Sequence, residues 1–417
     1  MHEQFIINGR KKLEGNIAVC NAKNAALKIL AAAVLTSKPV EIANLPPIED
    51  IKRMKELLID LGVKNNSDIF DCSIIKNSAL NYDIADRFRA SIVLTGPLLS
   101  RFGKVSFPHP GGCTLGKRSI DFFIDGFKSL GASVKKTGLN FTATAKNKRL
   151  TGNKFIFPLV SVTGTETLMM AAVLAKGKTI LKNAACEPEI ENLAVFLNSI
   201  GARISGAGTP VVIIDGVNSL QGGKWTGMPD RIEAGTFIIL GVAAGSRIKV
   251  ENCDTSHLDV LLAMLEKAGA NLEIGSDYVI VKPSKKLKSV DITTREYPGF
   301  ATDLQAPFTV LMTQAEGISL IHETIYNGRL FYTDILNQMG ADITMADPHR
   351  VIVKGPVSLS GKKIYSPDIR AGMALLIAAL IAKGQSTIDN IYQIDRGYYK
   401  IDERLKILGA DIKRVTN

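Results

Sequence analysis

"GFKSLGASVKK", residues 126–136, reads as the last turns of an amphipathic helix, a glycine stop and the start of a strand. Glycine suits the left-handed conformation that ends many helices, because it has no Cβ to oppose it. Five other stretches have the same form: "LLIDLGVKN" (57–65), "FLNSIGARIS" (196–205), "LEKAGANLEI" (265–274), "LNQMGADITM" (336–345) and "LKILGADIKRV" (405–415). Their glycines, Gly62, Gly131, Gly201, Gly269, Gly340 and Gly409, are spaced by 69, 70, 68, 71 and 69 residues. So regular a spacing marks an internal repeat.

A second, more apolar helix belongs to each unit and ends at its own break. Examples are "TLMMAAVLAKG" (167–177), "FIILGVAAG" (237–245), "FTVLMTQAEG" (308–317) and "ALLIAALIAKG" (374–384). A strand-like run follows each, as in "KTILKN", "RIKVEN", "ISLIHE" and "STIDNI". Helices apolar nearly all round must be buried. Six units therefore predict an α/β protein of two domains with three repeats each, apolar helices inside and sheets and amphipathic helices outside. "WTGMPDRIE", residues 225–233, falls at the midpoint and is the expected crossing between domains.

The length of 417 residues agrees with two or three domains. With 46% apolar and 22% charged residues the composition is that of a soluble globular chain. The first residues, "MHEQFIINGRKKLEG", lack the apolar core of a secretory signal. The longest apolar run, "AGMALLIAALIA" (371–382), falls short of the roughly 20 residues that span a bilayer. A cytoplasmic location is expected. Five scattered cysteines, at 20, 72, 113, 186 and 253, offer neither a disulfide frame nor metal-ligand spacing, so no metal or cofactor is expected. The net charge of +11 is spread along the chain without a nucleic-acid motif, which favours solubility plus a local anionic ligand.

Polar residues collect just before each buried helix, in "NAKNAAL" (21–27), "RFRASIVL" (87–94), "SVTGTETL" (161–168), "DRIEAGTF" (230–237), "ATDLQAPF" (301–308) and "PDIRAGMALL" (367–376). Helix N-termini carry unpaired N–H groups and partial positive charge, so they bind anions. Capping alone accounts for Ser161, Thr302 and Asp368. It does not account for Lys23, Arg89, Arg231 and Arg370, because cations oppose the dipole at that end, and their presence suggests an anionic ligand. Arg329 in "NGRLF" and Arg396 in "QIDRGYYKIDERL" extend the basic set. Cys113 sits in "PHPGGCTLGKRSIDFF" (108–123), between glycines and beside Lys117 and Arg118. There it is either an incidental surface thiol or a reactive one whose thiolate the cations favour.

Together, "NAKNAAL", "RASI…GPLL", "PGGCTLGKR", "PDRIEAGTF", "TDLQAPFT", "DIRAG" and "IDRGY" resemble, in order and spacing, the UDP-N-acetylglucosamine 1-carboxyvinyltransferases, an enolpyruvyl transferase family. The resemblance covers essentially the whole chain. It implies a two-lobed, inside-out α/β barrel of βαβαββ-like repeats, with 22–228 as one lobe and 1–21 plus 229–417 as the other. It also implies transfer of the enolpyruvyl group of phosphoenolpyruvate to the sugar 3-hydroxyl, with release of phosphate, as the first committed step of peptidoglycan synthesis. A monomer with no nucleic-acid, membrane or cofactor requirement is expected.

By motif, the resemblance makes Cys113 the general acid and site of a covalent phospholactoyl adduct, and Asp303 the base or hydroxyl-positioning residue. Lys23, Arg118, Arg396 and Arg370 match phosphoenolpyruvate contacts. Asn24 and Arg89 match positions near sugar and phosphate, Ser161, Thr163 and Ile325 the nucleotide pocket, and Arg329 and Asp368 supporting positions. Departures from the family pattern are Asn21 for glycine, Leu159 for a lysine found in some relatives, Asn327 and Gly328 in "YNGR" for "FENR", and Gln393 for histidine. Two other readings compete: a shikimate-pathway enolpyruvyl transferase, and a non-catalytic relative that only binds a nucleotide sugar. The cysteine loop and "AKNA" in place of "GSKS" argue against the first; Cys113 and Asp303 argue against the second, which the altered "YNGR" keeps open.

Overall fold

The computed structural model describes residues 3–75, 77–111 and 119–416. The described residues divide into two compact units, one of residues 3–20 and 229–416, the other of 21–111 and 119–228. Six separate sheets account for the strands, five of four strands and one of three, and each sheet lies wholly within one unit. All six are open, and none closes on itself as a barrel among the described residues.

One sheet serves to explain the rest. Ile292–Thr293 runs parallel to Gly317–His322, which pairs antiparallel with Arg350–Gly355, itself antiparallel to Asp342–Asp347. The parallel pair is joined through the buried helix Thr302–Met312, and the amphipathic Thr333–Gln338 leads to the outer strand. Along Gly317–His322 the inward residues are Ser319 and Ile321, two apart, as the alternation of a strand requires. Leu320 opposite Ile352 belongs to the outer face.

The repeats are stitched across the chain. Glu3–Asn8 lies between Gln385–Asp389 and Asp411–Thr416, antiparallel to both, so the N-terminal strand completes the last repeat. Glu14–Ala18 supplies the parallel strand of the unit containing Arg231–Ala243, and Gly223–Trp225 that of the unit containing Lys23–Ala32. The three-stranded sheet has only a parallel bridge, Ala79 to Ser106, in the corresponding place.

The six repeat glycines all take positive φ, between 85° and 105°, in line with their reading as helix stops. In the first unit the helices Arg231–Ala243, Thr302–Met312 and Ile369–Ile381 pack on one another, and residues 370–380 are buried without exception. In the other, Thr95–Phe102 packs on Val162–Ala172 so closely that a Cβ on Gly96 would meet the Thr167 carbonyl oxygen at 2.3 Å. "RFRASIVL" differs from expectation: Arg89–Leu94 is a 3₁₀ segment and the α-helix begins only at Thr95. Pro97 explains this, since it has no N–H to donate to the Val93 carbonyl four residues back, and it fits the first turn of the helix that starts at Thr95.

Candidate active site

The helix Thr302–Met312 begins the site of the first unit. Its second residue, Asp303, holds two arginines. Arg329 Nη1 donates to Asp303 Oδ1 at 2.9 Å, and Arg370 donates to Oδ2 through Nε at 2.9 Å and Nη2 at 2.8 Å. Both guanidiniums are buried, while the carboxylate keeps a quarter of its surface exposed. Burial by itself would raise the Asp303 pKa, but the charges of Arg370 and Arg329 and their hydrogen bonds outweigh it. They hold the carboxyl well below the usual carboxylate range. Pro307, four residues on, cannot donate to the Asp303 carbonyl, so that oxygen lacks its ordinary helical partner.

Each arginine is itself fixed. Arg370 Nη1 donates to the Tyr398 hydroxyl at 3.2 Å, with the guanidinium 5.7 Å from the ring centre. Tyr398 also hydrogen-bonds Thr236 on the neighbouring helix at 3.2 Å. Arg329 lies 4.9 Å from the Tyr326 ring. Asp368 caps the helix Ile369–Ile381 by accepting the N–H groups of Arg370 at 2.8 Å and Ala371 at 3.0 Å, which places Arg370 in the first turn. Arg396 ends the one-turn helix Tyr392–Asp395 and donates to Gln393 Oε1 at 3.0 Å, so Gln393 is a direct partner of a predicted ligand arginine. Ile325 sits just after the buried Glu323, whose carboxylate accepts its N–H at 2.8 Å.

In the other unit Lys23 opens the helix Lys23–Ala32 and pairs with Asp50 at 2.7 Å, both side chains almost wholly buried. Asn24 follows it, half-buried. Arg89 heads its 3₁₀ segment and is half-buried, while the hydroxyl of neighbouring Ser91 turns inward to the Ala85 carbonyl at 2.9 Å. Ser161 caps Val162–Ala172 through the Gly164 N–H at 3.1 Å, with Thr163 half-buried in the first turn. Two turns into the core, Lys28 meets Glu166 at 3.3 Å. Burial drives the Glu166 carboxyl up to about 8, against the pull of Lys28 and with the help of Glu189 and Glu187.

The predicted residues thus fall into two groups. Arg329 and Arg370 both meet Asp303, Asp368 and Ile325 flank them, and Arg396 lies within the same unit. Lys23, Asn24, Arg89, Ser161 and Thr163 belong to the other unit. Cys113, Lys117 and Arg118 lie outside the described residues. Among the described residues no group of three histidine, cysteine, aspartate or glutamate side chains is placed to hold a metal. Among the described residues no helix is long and apolar enough to cross a membrane.

Two readings of the helix starts need correction. Thr302 does not cap its helix: the N-cap is Ala301, and the Thr302 hydroxyl goes to Glu323 at 2.8 Å. The cations at helix starts do not by themselves require a foreign anion, because protein groups meet them: Asp50 for Lys23, Asp303 for Arg370 and the Tyr297 ring for Arg231. Asp50, Glu323 and Tyr398 escaped sequence reasoning altogether. Asp50 was hidden as an ordinary acidic residue in the first turn of Glu49–Leu61. Of the departures, Asn21 donates to the Asn44 carbonyl at 2.8 Å, and Leu159 is 77% exposed. Asn327 is also exposed, and Gly328 precedes the 3₁₀ turn of Arg329.

A family profile described as EPSP synthase (3-phosphoshikimate 1-carboxyvinyltransferase) matches residues 7–405. A UDP-N-acetylglucosamine 1-carboxyvinyltransferase of Coxiella burnetii (strain Dugway 5J108-111) is 42% identical over 421 aligned positions, covering 100% of this chain and 96% of the relative. One from Koribacter versatilis (strain Ellin345) is 43% identical, covering 99% and 96%. The crystal structure of the enolpyruvyl transferase NikO from Streptomyces tendae superposes with a TM-score of 0.89 at 25% identity, covering 100% of this chain and 99% of that one.

Proposed function

The chain belongs to the EPSP synthase family, and from that premise we propose that it transfers the enolpyruvyl group of phosphoenolpyruvate to the 3-hydroxyl of UDP-N-acetylglucosamine. The observation that carries the choice of acceptor is the 42–43% identity, end to end, with enzymes of that name. In the cell this is the first committed step of peptidoglycan synthesis, carried out by a soluble cytoplasmic monomer that needs no cofactor.

In the addition step the Cys113 thiol gives a proton to the methylene carbon of phosphoenolpyruvate. The sugar oxygen bonds to the adjacent carbon, and its hydroxyl proton passes to solvent. In the elimination step the new methyl group returns a proton to the Cys113 thiolate and the carbon–oxygen bond to phosphate breaks, giving the enolpyruvyl ether and inorganic phosphate, which takes up a proton from solvent. Asp303 suits the acceptor side: it is ionised, and Arg329 and Arg370 orient both its oxygens. So stabilised a carboxylate is a weak base, so its main work is to accept the hydrogen bond of the 3-hydroxyl and hold the oxygen in line. The proton becomes acidic as the oxygen bonds to carbon.

Lys23, Arg118, Arg396 and Arg370 would meet the phosphate and carboxylate charges of phosphoenolpyruvate, where preorganised cations stabilise the transition state. Asn24 and Arg89 serve sugar and phosphate; Ser161, Thr163 and Ile325 serve the nucleotide; Arg329 and Asp368 support Asp303 and Arg370. The assay is phosphate release from phosphoenolpyruvate with either UDP-N-acetylglucosamine or shikimate 3-phosphate. Release with the nucleotide sugar alone, lost in Cys113→Ala, is the expected result. Release with shikimate 3-phosphate, or nucleotide-sugar binding without turnover, would overturn the proposal.

A further inference from the structure

Glu323 is a buried carboxylate with no cation among its hydrogen-bond partners. It is 0% exposed and follows directly on the strand Gly317–His322. One oxygen, Oε1, accepts the backbone N–H groups of Ile325 at 2.8 Å and Tyr326 at 3.2 Å. The other, Oε2, accepts the Thr302 hydroxyl at 2.8 Å. Buried polar atoms are held by hydrogen bonds as a rule, and here both oxygens have donors. The nearest cation is one hydroxyl away.

The directions of these bonds are forced. A guanidinium nitrogen only donates, so where Arg329 Nη1 meets Thr302 Oγ1 at 2.9 Å the threonine oxygen is the acceptor. Its single proton therefore points to Glu323. The same Nη1 gives its second hydrogen to Asp303 Oδ1 at 2.9 Å. One nitrogen thus divides its two protons between Asp303 and the hydroxyl that Glu323 polarises. Arg329 Nε, also buried, has no hydrogen-bond partner, so nothing at that nitrogen fixes the guanidinium in rotation. Beside the Tyr326 ring, its orientation rests on the Nη1 contacts.

We propose that Glu323 is a positioning residue for Asp303: by drawing the Thr302 proton toward itself it locks the Thr302 oxygen onto Arg329, and so fixes the arginine that orients the catalytic carboxylate. This rests on the function proposed above. The same side chain ties down Ile325 through Oε1, so one buried carboxylate serves both the Asp303 relay and a residue assigned to the nucleotide pocket. The two oxygens separate these roles.

Glu323→Gln tests the division. Its amide oxygen can still accept the Ile325 and Tyr326 N–H groups. Its NH₂ now faces Thr302 and donates, so the hydroxyl receives two donors and its own proton is turned away. We expect kcat for phosphate release to fall about ten-fold while KM for UDP-N-acetylglucosamine stays within about two-fold, the pattern of a lost transition-state interaction. Thr302→Val, which deletes the relay without touching Glu323, gives the same loss. The double variant is no worse than either single one, and Thr302→Ser recovers most of the kcat lost in Thr302→Val. Multiplying losses in the double variant, a Glu323→Gln kcat within two-fold of wild type, or a change confined to KM would overturn the inference. Failure of wild-type turnover would instead overturn the functional reading. Thermal unfolding still tests Glu323 in that event: shifts for Glu323→Gln and Asp303→Asn should be non-additive, and simple additivity refutes the relay.

Discussion

Asp303→Asn is the substitution that the geometry makes most informative. In the native protein one carboxylate faces two buried guanidiniums, with three donors 2.8–2.9 Å from its oxygens. Asparagine keeps the shape but removes the charge, and turns an NH₂ group toward one of the arginines. Leaving a buried charge without its partner costs on the order of 3–5 kcal/mol. The partial exposure of Asp303 places the expected loss at the lower end, about 3 kcal/mol. For a compact unit of this size each kcal/mol moves Tm by roughly 2–4 °C, so unfolding should begin roughly 6–12 °C lower.

Acidification supplies the second half of the test. The folded pKa of Asp303 lies below its unfolded value of about 3.9, so its stabilisation is complete above that pH and declines as pH falls toward the folded value. Wild type should therefore lose stability steeply below about pH 4, and Asp303→Asn should lack that component. No limb of the pH–rate profile between about 5 and 8 can belong to Asp303, because it stays ionised throughout. Calorimetry from pH 3 to 8 and initial rates of phosphate release measure both. An Asn variant as stable as wild type at pH 7, or a neutral-range limb that disappears with Asp303, would refute the reasoning.

Other expectations follow from single contacts. Gly96→Ala should lower the Tm of its unit, because the new Cβ meets the Thr167 carbonyl and forces two buried helices apart, a cost of about 1–3 kcal/mol; circular dichroism melting checks it. Lys28→Met should destabilise more at pH 8.5 than at pH 5.5. Glu166 has a raised folded pKa that loss of the lysine raises further, so stability falls as pH climbs from the unfolded glutamate pKa toward the folded one. Equal losses at both pH values would contradict this. Gln393→Ala removes one acceptor of Arg396, 3.0 Å away, and should raise KM for phosphoenolpyruvate several-fold with little change in KM for the nucleotide sugar, measured by the phosphate assay.

The repeat was legible because its punctuation is steric. A helix that must stop and turn into a strand puts glycine at a fixed place, and six left-handed glycines stand where the sequence period predicts them. The buried helices were legible from the same cause, since no polar face could be drawn on "ALLIAALIA". Strand exchange was legible only through the resemblance, which puts 1–21 with 229–417, and its pairing was not. Nothing in "EGNIA" (14–18) states that it will pair with Arg247–Glu251, more than two hundred residues away; that follows from which open sheet edge remains.

The site divides along the same line. Arg370 could be named because a cation at a helix start is anomalous and draws notice, whereas Asp303 took its role from the motif resemblance and Arg329 from the basic set around it. Glu323 and Asp50 could not, because a carboxylate beside a strand or in a helix first turn looks ordinary until its partners are known. The basic set, read from sequence, suggested a cavity waiting for anions. The structure instead gives Lys23 and Arg370 carboxylates of the protein's own. Under the function proposed above, an anionic substrate would share cations already engaged, and its binding would be the difference between two paired states rather than the pairing of a bare charge. Neutralising Asp303 should accordingly tighten simple anion binding at Arg329 and Arg370 even as it removes turnover, since affinity for charge and alignment of the acceptor hydroxyl make opposite demands on the same two arginines.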